Sequence, residues 1–131
     1  MPSKLELSFT TTIPKGLFTT ICLIGKDGQI IPKLEMDLAA YLIDAMTSLQ
    51  FTGEFGKTML VYYNNASYLL MGIGKNFSSG RHAETLGGKL FSALSKVAGK
   101  RGWLMDHQLD EVVLADICFG AELASYHFKK Y

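Results

Sequence analysis

A chain of 131 residues, 48% hydrophobic and 19% charged, has the length and apolar content of one globular domain, and the expectation is a single domain over 1–131. Its formal net charge of +1 argues against a broad field for a phosphate backbone, since the basic residues are scattered apart from Lys100-Arg101 and Lys129-Lys130. Nucleic acid is therefore not an expected partner. The start "MPSKLELSFTTTIPKG" lacks a basic-then-apolar leader and no apolar run is long enough to span a bilayer, so no membrane is expected and the default compartment is the cytoplasm.

In chain order, "KLELSFT" alternates, with Leu5, Leu7 and Phe9 on one side, as a half-buried strand does. "LFTTICLIG" follows as a second strand, closed by a tight turn at Asp27-Gly28. From Pro32 the period lengthens: Leu34, Leu38, Tyr41, Leu42, Ala45, Met46 and Leu49 recur at helical spacing, with Pro32 near the first turn. Gly53 and Gly56 in "FTGEFGK" are expected to break that helix.

"TMLVYY" and "SYLLMGIG", separated by Asn64-Asn65, read as neighbouring central strands buried on both faces. "SSGRHAETLGGKLFSALSKVAGK" reads as a helix capped by Ser78 or Ser79, with a stripe through Leu86, Leu90, Leu94 and Val97 and an end near Gly99. Gly87-Gly88 in mid-helix predicts close packing against another element. "GWLMDHQ" contains another short strand, and a last helix begins near Asp110 and Glu111. Its inner face is predicted to carry Leu114, Ile117, Cys118, Ala121, Ala124, Ser125 and Phe128, widened by Phe119, Leu123 and Tyr126. Strands interleaved with three helices predict an α/β sheet covered on both faces.

The chemistry-bearing residues are sparse. In "DHQLDE", Asp106/Asp110 and His107/Glu111 have the spacing of ligands on one helix face, but acids at a helix N-terminus complement its dipole and explain the segment without a metal. "GIGK" before a helix that carries Arg81, His82 and Glu84 in its first turn makes Gly72, Gly74, Lys75, Ser78, Ser79 and Arg81 the candidate ligand-binding residues, against a plain structural turn. The longer glycine spacing and Lys-Ser/Thr pair of a phosphate loop are missing. There is no Gly-x-Ser-x-Gly elbow, His127 reads as a surface or interface residue, and no catalytic residue is assigned. Cys22 and Cys118 sit in apolar contexts that suit buried thiols, with a disulfide the less favoured reading. Tyr62, Tyr63, Tyr68 and Phe77 lack interleaved basic residues and read as core and sheet-edge aromatics rather than base-stacking platforms.

Three segments together resemble the N-terminal domain of the leucyl aminopeptidases. "LAAYLIDAMTSLQFTGEFGK" is similar to that family's helix and Phe-x-Gly-x-x-Gly turn, through Phe51, Gly53 and Gly56. "YLLMGIGK" is similar to its strand closing on Gly-x-Gly-Lys, through Gly72, Gly74 and Lys75. The ending resembles the family's Gly, Leu-Ala-x-Tyr-x-Phe and basic stretch, through Gly120, Leu123, Ala124, Tyr126, Phe128 and Tyr131, with departures at Glu54, Phe119 and His127.

That resemblance implies a three-layer α/β/α, macro-domain-like fold with a mixed, mostly parallel central sheet. It implies no cofactor and no metal in this chain. The family's two divalent ions, Zn or Mn, belong to a larger C-terminal catalytic domain whose Asn-Thr-Asp-Ala-Glu-Gly-Arg signature has no counterpart here. The implied role is architectural: packing against that catalytic domain and joining a homo-oligomer, a homohexamer in the family, with Tyr126, His127, Lys130 and Tyr131 as candidate interface residues. The alternative implied by a macro-like fold is a binding module for ADP-ribose or a related nucleotide.

Overall fold

In this computed structural model the described residues are 6–8, 18–75, 81–96, 101–104, 112 and 115–121. They form a six-stranded sheet from β1 (Glu6–Ser8), β2 (Thr19–Gly25), β3 (Gln29–Ile30), β4 (Thr58–Tyr63), β5 (Ala66–Gly74) and β6 (Arg101–Leu104). The helices are α1 (Met36–Ser48), α2 (Arg81–Leu94) and α3, described over residues 115–121. Strand order is β1-β6-β2-β5-β4, with β3 also paired to β2. The β1·β6, β2·β6 and β2·β5 ladders are parallel and the β2·β3 and β4·β5 ladders antiparallel, so the sheet is mixed and mostly parallel.

β2 is the axis of the sheet. All seven of its residues are buried, and its alternation divides the core into two layers. Cys22 and Ile24 meet Leu70 and Val61 under Leu38, Leu42 and Met46 of α1. Ile21 and Leu23 meet Leu69, Met71 and Ile73 under Ala83, Leu86, Leu90 and Leu94 of α2 and Ile117 of α3. Helices thus cover both faces, giving the three-layer α/β/α arrangement expected of a parallel sheet whose strands read as continuous apolar runs. No described helix is long and apolar enough to cross a membrane.

Local geometry explains where the elements stop. The β4–β5 hairpin closes on Asn64 and Asn65, both at positive φ (49° and 63°), the two-residue turn whose twist matches its flanking strands. Asp27 and Gly28 supply the left-handed residues of the turn between β2 and β3.

α1 starts at Met36 after Glu35, so Pro32 precedes the helix rather than occupying its first turn. It ends at Ser48, well before Gly53, and is closed by Gln50, which takes φ 57°. There Gln50 N–H donates to Thr47 O at 3.2 Å and Phe51 N–H to Met46 O at 2.8 Å. This paired closure satisfies the last carbonyls of the helix.

β4 is an edge strand rather than a central one. Val61 is its one buried residue, whereas Leu60 and Tyr62 are exposed. Its alternate residues Met59, Val61 and Tyr63 pack in the α1 layer. An apolar run alone does not reveal that only one of its faces is covered.

On α3, Ile117 and Ala121 are buried, but Cys118 is half-buried and Phe119 is 51% exposed, so over residues 115–121 the inner face is narrower than predicted; Leu114, Leu123, Ala124, Ser125, Tyr126 and Phe128 lie outside the described residues. Both cysteines are thiols: Cys22 is buried in the layer under α1, and Cys118 is half-buried on α3. Burial pushes the Cys22 thiol up to about 12.

Candidate functional site at the carboxyl ends of the parallel strands

In α/β sheets ligands gather where parallel strands end and helices begin, which directs attention to the ends of β2 and β5. Their register shifts at that end: Ile24 pairs with Gly72, but Gly25 pairs with Gly74. Across it lies the segment 52–57, "TGEFGK", which links α1 to β4. The two glycine motifs read separately from the sequence are therefore brought together as one structure.

The contact is backbone to backbone. Gly72 N–H donates to Lys57 O at 2.8 Å, Gly56 N–H donates to Gly72 O at 2.9 Å, and Gly74 N–H donates to Gly53 O at 2.9 Å. Gly28 N–H, from the β2–β3 turn, donates to Thr52 O at 3.1 Å. A Cβ on Gly53 would overlap the carbonyl oxygen of Gly25, and a Cβ on Gly72 would overlap that of Glu54. Glycine is required here because two segments of the chain approach closer than any side chain permits.

Side chains close the outer rim of this strap. The Phe55 ring lies against the His82 ring of α2, with centroids 5.3 Å apart and planes tilted by 34°. A Cβ on Gly56 would come within 2.5 Å of Lys89 Cδ, so the Lys89 stem lies across that glycine. Phe55 also packs partly buried against the α2-side core. The strap thus connects the ends of β2 and β5 to the first turns of α2.

This geometry locates the predicted ligand-binding residues. Gly72 and Gly74 both lie against the strap, and their amide protons donate to its carbonyls rather than facing outward. Lys75 is exposed directly after β5, and Arg81 begins α2. Ser78 and Ser79 lie outside the described residues, as do Tyr126, His127, Lys130 and Tyr131 and the whole of "DHQLDE". Among the described residues no three His, Cys, Asp or Glu side chains come together as metal ligands. None of the buried side-chain nitrogens and oxygens described lacks a hydrogen-bond partner.

The sequence motifs do not single out Gly25 or Phe55, both of which take part in the clasp; the signal available is a glycine at each of three approaching chain segments. At the opposite end of the same strands, Thr19 and Ser67 share a hydroxyl–hydroxyl hydrogen bond of 2.9 Å, and Phe18 meets Trp103 edge to face at 6.3 Å. These contacts pin the amino ends of β2, β5 and β6 and offer no reactive group.

No known family model matches the chain. No curated protein matches it either. Among solved structures, the fold is similar to that of a mutant of tomato leucine aminopeptidase, with a TM-score of 0.65 and 20% identity. The likeness covers 92% of this chain and 28% of that one, so the chain spans little more than a quarter of its neighbour's length. At that identity the likeness is one of fold.

Proposed function

We propose that this chain is a non-catalytic accessory domain of the leucyl-aminopeptidase type, equivalent to the N-terminal domain of such a metallopeptidase. The observation that carries the reading is the unequal coverage: nearly all of this chain corresponds to a minor part of an aminopeptidase. The glycine motifs that suggested the family also mate as one clasp, which gives them a structural use.

In this reading the 131 residues are one macro-like domain that packs against a catalytic domain and contributes to a homo-oligomer in the cytoplasm. A two-metal peptidase needs several carboxylates converging on its ions to activate water. The described residues offer no such convergence, and the reading assigns the two Zn or Mn ions, and the release of N-terminal residues from peptides, to the catalytic domain. The coding sequence around this chain tests the proposal. A neighbouring segment with clustered Asp, Glu and Lys is expected; a gene encoding these residues beside an unrelated domain would overturn it.

A further inference from the structure

α1 buries one face and leaves a second, carrying Met36 and Ile43, exposed among the described residues. Leu38, Leu42 and Met46 pack on the sheet. On the opposite side Met36, Ala40, Ile43 and Thr47 are all exposed, at spacings of four, three and four. Met36 is 83% and Ile43 52% exposed. Thr47 Oγ1 donates to Ile43 O at 2.9 Å, which satisfies its polar group within the helix. This is the alternating spacing of a heptad seam, the pattern by which one helix receives another. Tyr41 stands apart from the seam, against Tyr63 at 4.8 Å between centroids.

Charge indicates which helix the seam would receive. Asp37 and Asp44, each one position after a seam residue, are both exposed and flank it, and Met36–Ser48 contains no Lys, Arg or His. In a paired helix such flanking positions meet those of the partner, so acids here select Lys or Arg there. A second copy docking through the same helix would instead bring two cation-free acidic helices together. We infer that the outer face of α1 is a docking surface for a partner helix with an apolar heptad seam flanked by basic residues. The inference rests on exposure, spacing and charge and does not depend on the aminopeptidase reading.

The test uses the full chain and two labelled synthetic peptides of three heptads, with Leu at both seam positions and either Lys or Glu at the flanks, followed by fluorescence anisotropy. The Lys peptide should bind saturably and the Glu peptide should not. Ile43→Asp should weaken the Lys peptide by roughly tenfold, although it adds attraction for a cation. The Asp37→Lys/Asp44→Lys variant should transfer the preference to the Glu peptide. Equal binding of the two peptides, or Lys-peptide binding unchanged or strengthened by Ile43→Asp, would overturn the inference. So would a dimer, seen by sedimentation, that Ile43→Asp dissociates, because that assigns the face to a second copy.

Discussion

Gly87 of α2 and Gly120 of α3 are the reciprocal halves of one helix crossing. A Cβ on Gly87 would overlap the Ile117 carbonyl oxygen and come within 2.8 Å of Ala121 N; a Cβ on Gly120 would overlap the Glu84 carbonyl oxygen. Each helix gives up a side chain so that the other's backbone can approach, and both then reach the same core layer through Leu86, Leu90 and Ile117.

Alanine at either position should therefore destabilise the fold, even though Ala is favoured over Gly in a helix by about 1 kcal/mol. Forced overpacking costs about 3 kcal/mol at its upper range and should win. Thermal unfolding of Gly87→Ala and Gly120→Ala should show Tm reduced by roughly 10 °C. A Tm equal to or above that of the parent would mean the helices do not cross this closely.

The strap makes a paired prediction about two glycines that share a positive φ but not an environment. Gly53 and Gly28 have φ of 83° and 79°, yet a Cβ on Gly28 meets nothing within 4 Å, while one on Gly53 collides with β2. Gly28→Ala should cost only the left-handed penalty, about 1–2 kcal/mol. Gly53→Ala adds a backbone collision to the same penalty and should cost clearly more in urea titration. Equal losses would show that the strap does not lie against Gly25.

Burial of Cys22 predicts a specific alkaline weakness. Its thiol is held up to about 12 in the fold against its ordinary value of 9.0, because burial disfavours the thiolate. Below pH 9 both folded and unfolded chains keep the proton, so the contribution is fully present. Above pH 9 the unfolded chain loses its proton first, and stability falls by about 1.4 kcal/mol per pH unit until the folded thiol also titrates. Tyr68 acts with the same sign, its hydroxyl raised first by burial and then by Cys22, Tyr63 and Glu35. The loss of stability from pH 9 to pH 11 should be smaller in Cys22→Ala than in the parent; identical pH profiles would contradict the assignment.

The engaged amides at the strand ends predict the outcome of a nucleotide titration. A phosphate held by the Gly72 and Gly74 N–H groups would have to displace the Lys57 and Gly53 carbonyls to which they donate. Calorimetric titration with ADP-ribose should therefore give no saturable heat. Sub-millimolar binding abolished by Gly74→Ala would place a nucleotide where the strap lies and displace the structural reading of these glycines.

Much of this architecture was legible because strong periodicities dominate it. The α2 stripe Leu86, Leu90, Leu94 and the buried run of β2 are positions where local pattern and tertiary burial agree. The mid-helix glycines signalled a close crossing for the same reason: nothing local favours Gly87. What sequence pattern missed depends on neighbours far along the chain. Whether Leu60 and Tyr62 are covered is decided by how far the helices reach across β4, and local alternation carries no trace of that. The closure of α1 by Gln50 uses a residue type that does not advertise a left-handed cap. At the candidate site, the glycines of both motifs were visible, but the backbone bonds that join them link segments well apart along the chain, which no local pattern shows.

The most direct measurement of the central claim is hydrolysis itself. The purified 131-residue chain, incubated with leucine amide and either Mn²⁺ or Zn²⁺, should release no more leucine than the metal ion alone, because the proposed accessory domain holds no catalytic centre. Turnover that requires the chain and the metal, stops with a chelator and returns when the ion is restored would contradict it.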